Sequence, residues 1–205
     1  MILTWAFSAL AGFFWYVLFS PWTSGAVLFW PMMAAASGTL AALGFLAQQE
    51  EPDIYRFRFW HALAGALSAL LLYGFFYIGR QALTWLLPLT GQQINDVYTI
   101  RQEAPIGVIV FLLLFWIGPA EEIFWRGFIQ QRCMKHFGQW QGLALAAFIY
   151  AIVHIWSFNL TLFLAAGVCG LWWGLQFLMF RNLWPVMISH ALWDVLIFVV
   201  LPLNA

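Results

Sequence analysis

The chain has 205 residues, of which 64% are hydrophobic and only 8% charged, and its formal net charge is zero. Soluble domains carry about 25% charged residues and about half apolar ones, and a domain of this size keeps too much wet surface to hide such an excess. Lipid accommodates it, and the lack of any basic patch or Lys/Arg-rich run excludes a nucleic-acid partner.

A membrane helix needs about 20 mostly apolar residues, and seven stretches qualify. The first, Ile2 to Phe19, lacks a basic leading region and is followed at once by a second apolar run, so it reads as a retained span and not a removable signal peptide. The second runs near Gly25–Ala47 and the third near Trp60–Leu87, with Arg80 placing the end of the third in the interface. A polar connection, Thr90–Ala104, reads as a solvated loop, and Pro105 suits the first turn of the helix that follows. The fourth span covers Pro105–Phe128. The fifth, sixth and seventh are Gly142–Trp156, Phe158–Phe180 and Leu183–Leu203.

The expected fold is therefore an all-α polytopic bundle of about seven transmembrane helices. It forms a single integral membrane domain over residues 1–205, with a core near 105–203 that carries the notable polar residues. Arg56, Arg58, Arg126, Arg132, Lys135 and Arg181 fall on the side of the N-terminus, against Arg80 and Arg101 on the other. The positive-inside rule then sets the N-terminus in the cytoplasm. Trp5, Trp22, Trp60, Trp140 and Trp184 lie near span ends, where an aromatic belt belongs. Gly170 and Gly174 form a GxxxG stripe suited to close helix packing. Cys133 and Cys169 form no CxxC pair and read as small buried residues.

Ionisable groups inside spans are costly and mark function. Here they are Glu121 with Glu122, Arg126, His154, and His190 with Asp194. Glu122 and Arg126 are four apart and share a helix face, as do His190 and Asp194. With a turn at His136–Gln139, Glu121 and His154 each lie about 15 residues, or roughly 23 Å, from it on antiparallel helices. A second turn near Arg181–Pro185 brings His190 and Asp194 to a similar depth. Pro119, two residues before Glu121, removes a backbone donor and clashes with the carbonyl of Phe115, so a kink is expected there.

These residues suit amide hydrolysis. A carboxylate in a poorly hydrated pocket serves as general base on water. His154 can share the water proton, and His190, held by Asp194, can donate to an oxygen as charge develops on it. Ser189 points about 100° away from His190 on a helix and is no nucleophile.

The same residues carry a resemblance. Glu121-Glu122-Ile-Phe-Trp-Arg126 matches EExxxR, Tyr150-Ala-Ile-Val-His154 is close to FxxxH, and His190-Ala-Leu-Trp-Asp194 matches HxxxN/D. In order and spacing they resemble the CPBP family (CAAX-prenyl protease and bacteriocin-processing), a group of glutamic-type intramembrane endopeptidases. The resemblance implies that Glu121 is the base, with His154 as its partner. It further implies that His190 and Asp194 form the oxyanion site, that Glu122 and Arg126 support the geometry, and that no cofactor takes part. The substrate it implies is a membrane-anchored or lipidated peptide or protein cut near its anchor, and the size of the chain suggests a bacterial inner membrane. Two alternatives stay open. Glu121, His154, His190 and Asp194 also suit a divalent metal, although no HExxH is present. Intramembrane Glu and His also suit a proton-coupled transporter or an immunity scaffold that keeps the fold.

Overall fold

The computed structural model describes residues 1–48 and 52–203. Eight helices follow in chain order: α1 (Ile2–Phe19), α2 (Phe29–Ala47), α3 (Phe59–Leu86), α4 (Thr90–Tyr98), α5 (Ile106–Phe137), α6 (Gln139–Ser157), α7 (Leu160–Phe180) and α8 (Leu183–Val200). All except α4 are long and apolar enough to cross a membrane. There is no strand among the described residues. The expected all-α, seven-span bundle is what forms.

The helix of the fourth span runs on past Phe128 to Phe137, as the turn expected at His136–Gln139 requires. One expectation needs correction. The stretch Thr90–Ala104 is not a loop: Thr90–Tyr98 is helical and Thr99–Glu103 is a 3-10 turn. Its polar composition hid an amphipathic period. Thr90, Gln93, Ile94 and Val97, spaced three and four apart, face inward. Tertiary bonds tie both ends. Gln93 Oε1 accepts from the backbone N–H and hydroxyl of Thr161, Tyr98 Oη donates to the carbonyl of Ile197, and Trp30 Nε1 donates to the carbonyl of Ile100.

The turns between the last spans follow from local chemistry. Between α5 and α6 the chain reverses on Gly138, whose φ of 87° suits only a residue without a Cβ. The next two reversals share one design. Phe158 and Arg181 take left-handed conformations, and each is followed by an asparagine that caps the next helix. Asn159 Oδ1 accepts from Leu162 N at 2.8 Å, and Asn182 Oδ1 accepts from Trp184 N at 3.0 Å. The spare amides reach further, Asn159 Nδ2 to the carbonyl of Gln93 and Asn182 Nδ2 to the carbonyls of Asp53 and Arg56.

In lipid, helices associate through close packing and interhelical hydrogen bonds. Small residues make both possible here. A Cβ on Gly142 would collide with the backbone of Cys133 and Met134, and one on Gly65 would meet Ile188 and the carbonyl of Pro185 at 2.7–2.8 Å. Gly118 is in near contact with Ala191, so α5 and α8 touch next to the polar residues. The GxxxG stripe packs as expected, Gly170 against Ala147 and Tyr150, and Gly174 against Gln130 and Leu143.

Gly142→Ala and Gly65→Ala should each lower stability by about 1–3 kcal/mol or more, the usual effect of overpacking. Gly74→Ala, where a Cβ meets nothing within 4 Å, should be neutral or slightly stabilising. Thermal unfolding of the three variants in one detergent separates these outcomes.

Candidate active site

The site is assembled at breaks in helical regularity. Within α5 the chain forms a π turn at Leu113–Ile117 and a second at Trp125–Gln130, leaving one regular segment between them, Gly118–Phe124. That segment carries Glu121 and Glu122. The kink expected from Pro119 is met by the first π turn, in which the N–H of Gly118 reaches the carbonyl of Leu113. His154 sits in the 3-10 turn that ends α6. His190 and Asp194 precede a third π turn, Leu196–Val200.

Two neighbouring glutamates have opposite surroundings. Glu122 is fully buried, with Oε1 2.8 Å from Arg126 Nη1 and 2.6 Å from His190 Nδ1. Arg126 is itself fully engaged. Nη2 donates to the carbonyls of Cys169 and Gly170, and the guanidinium lies over the rings of Tyr150 at 4.8 Å and Trp173 at 5.4 Å. Glu121 is 6% exposed and has no hydrogen bond or ion pair among the described residues. It faces a cavity of about 540 Å³ that Tyr150, His154, His190 and Asp194 also line. Glu122 and Arg126 lie behind the wall, outside that lining.

All six residues read from the sequence therefore gather in one place, in two layers. Their partnerships differ in one respect from expectation. His190 meets Asp194 only at 3.5 Å through Nε2, whereas its short contact is to Glu122. Trp173 stacks on the imidazole at a centroid distance of 3.8 Å. The imidazole is thereby held on three sides. Ser189, the next residue, points the other way: its Oγ donates to Ser68 Oγ at 2.9 Å and accepts from Trp173 Nε1. Both cysteines are buried, and both are free.

His154 is fixed by a residue that no motif contains. Trp15, buried at 1% exposure on α1, donates from Nε1 to His154 Nε2 at 3.0 Å, so Nε2 accepts. The proton then sits on Nδ1 and is donated to the carbonyl of Tyr150 at 2.8 Å. Sequence reasoning assigned tryptophans to span ends. The signal available for Trp15 was its position in the interior of a span. Trp173 offered only its place in α7, one residue before Gly174 of the small-residue stripe. Among the described residues no three His, Cys, Asp or Glu side chains are arranged as a metal-binding group.

Arg126→Met should destabilise the protein by about 3–5 kcal/mol, because it leaves the buried Glu122 carboxylate with His190 as its one remaining close partner among the described residues. Arg126→Met combined with Glu122→Leu should recover part of that loss. Chemical unfolding of the single and double variants in detergent measures both.

The family model for type II CAAX prenyl endopeptidase Rce1-like proteins matches residues 103–196. That stretch is a little under half of the chain and contains all six site residues. No curated protein and no solved structure matches the chain. Together with the seven apolar helices, the match makes this an integral, multi-pass membrane protein. Over residues 103–196 the chain is similar to the Rce1-like branch of the CPBP family, a family of intramembrane proteases.

Proposed function

We propose that this protein is a glutamic intramembrane endopeptidase that hydrolyses a peptide bond near the membrane anchor of a lipidated or membrane-inserted substrate. The observation that carries the reading is the unpaired Glu121 carboxylate facing the cavity beside a twin, Glu122, whose Oε1 is already engaged by two cations or donors. A carboxylate without a partner in so apolar a place has no packing purpose. A base for water gives it one.

In the proposed reaction a water enters between Glu121 and His154. Glu121 takes its proton as the oxygen attacks the carbonyl carbon of the scissile amide. His154 presents Nε2 to the same water, which displaces the Trp15 indole as donor to that nitrogen. Charge grows on the carbonyl oxygen, and His190 supports it from Nε2–H while Nδ1–H stays on Glu122. In this form both ring nitrogens donate. Asp194, on the next turn, orients Nε2–H and does not contact the oxyanion, because an ionised aspartate only accepts. The C–N bond then breaks as Glu121 returns its proton to the amine, leaving one amine product and one carboxylic acid that keeps the water's second proton.

The basic end of the bundle gathers the α2–α3 connection, the last turns of α5 and the α7–α8 turn. Arg132 donates to the carbonyl of Ala47, and Asn182 to the carbonyls of Asp53 and Arg56. This end, and with it the N-terminus, is proposed to face the cytoplasm of a bacterial inner membrane.

Purified protein in liposomes, given a lipid-anchored peptide, should release cleaved product. Glu121→Gln, His154→Ala and His190→Ala should each lower the rate by 10²-fold or more, with the same helical content and elution volume as the parent. Full activity in Glu121→Gln would falsify the mechanism. Tyr150→Phe should be mild, since the ring packs on Trp125 and under Arg126 and its hydroxyl has no hydrogen-bond partner among the described residues. Mass spectrometry of the products locates the cut.

A further inference from the structure

The cavity has a second pole. Its lining is apolar except at its two ends, and among the described residues the only carboxylates on it, Glu121 and Asp194, belong to the catalytic end. Arg80 lines it too, together with Gln93. Arg80 is half-buried and makes no hydrogen bond or ion pair among the described residues. Gln93 has its Oε1 fixed by two donors from Thr161, at 3.0 and 2.7 Å. That bond pair sets the orientation of the amide. It leaves both hydrogens of Nε2 without a described acceptor. A guanidinium and an oriented amide, both short of acceptors, share one apolar chamber.

Their position along the bundle follows from α3. Ser68 of α3 touches Ser189, the neighbour of His190, with 2.9 Å between hydroxyl oxygens. Arg80 is three further turns along the same helix, about 18 Å on at 1.5 Å per residue. The α4 helix caps that end, with Thr90 Oγ1 bonded to the carbonyl of Leu83. The chamber thus has proton-transfer groups at one end and anion donors at the other. An extended peptide covers such a span in about five residues.

The geometry points to an oxyanion subsite formed by Arg80 and the Gln93 amide, which seizes a carboxylate or phosphate carried on an apolar body and sets the distance from that anion to the reacting bond. As a determinant of the substrate it rests on the proteolytic reading; as a binding site it does not. Two sources share the chemistry: an acidic group of the peptide about five residues from the cut, or the phosphate of a lipid lying against α3 and α4. Burial of an unpaired guanidinium is costly unless something negative arrives, and a planar fork is well matched to either group.

The test uses the whole protein in phosphatidylcholine liposomes with two peptides that differ only in Glu or Gln about five residues from the cut. If the anion is the peptide's, the Glu peptide has a KM lower by about tenfold, the usual strength of a charge-assisted bond. Arg80→Gln removes that preference with kcat retained, and Arg80→Lys restores part of it. If the anion is the lipid's, the two peptides behave alike, and added phosphatidylglycerol changes KM in the parent but not in Arg80→Gln. A separate arm measures binding of a fluorescent undecanoic acid and of its uncharged amide to Glu121→Gln protein, with and without Arg80→Gln. Acid-selective binding that requires Arg80 supports the subsite even where no peptide is cut, in which case the proteolytic reading alone fails. Equal behaviour of Arg80→Gln and parent in the peptide, lipid and probe arms overturns the proposal.

Discussion

One buried charge arrangement governs the rest of the molecule. Glu122 is placed where water cannot reach it, so its carboxylate must be answered from within the protein. Arg126 does so from one turn along the same helix, and His190 from a different span. Arg126 then needs acceptors and a surface of its own, which the carbonyls of Cys169 and Gly170 and the faces of Tyr150 and Trp173 provide. A single carboxylate thereby commits α5, α6, α7 and α8 to one mutual arrangement. Glu121, next in the chain, is left out of that arrangement and turned to the cavity. The same chemical group is structural at one position and available for chemistry at the adjacent one because only one of the two has been given partners.

Close approach of the helices is a condition of this arrangement. The carbonyls of Cys169 and Gly170 can receive Arg126 only because α7 carries small residues where it meets α6. One turn further, Gln130 Nε2 donates to the carbonyl of Gly174 at 2.9 Å, repeating the pattern. Gly118 lets α5 touch Ala191 beside His190. The glycines and the buried polar groups are two parts of one device: the first bring backbones near, and the second bond across the gap. The π turns serve the same end, since each shifts the register of side chains so that the residues between them face inward.

One wall of the cavity is built by a segment whose composition is that of a loop. The 3-10 turn after α4 is bonded to α2 through Ile100, and the amphipathic α4 itself lies across one end, bonded to α7 and α8 through Gln93 and Tyr98. Its polar outward face gives the stretch the composition of a loop, while its inward face completes the chamber.

The number and placement of the spans, the reversal at Gly138, the proline effect at 119 and the depth at which Glu121, His154, His190 and Asp194 meet were all legible in the chain. Each depends on local period, backbone chemistry or helical rise, quantities that a linear sequence carries. Trp15 on His154, Glu122 in place of Asp194 as the close partner of His190, and Trp173 stacked beneath it were not. Nor was the inward face of α4. These are pairings between residues far apart in the chain, and they are chosen by how helices rotate and lean against each other. Rotation is set by the sum of many packing contacts, so the sequence named the groups and their level in the membrane, while only the assembled bundle decided which group each of them holds.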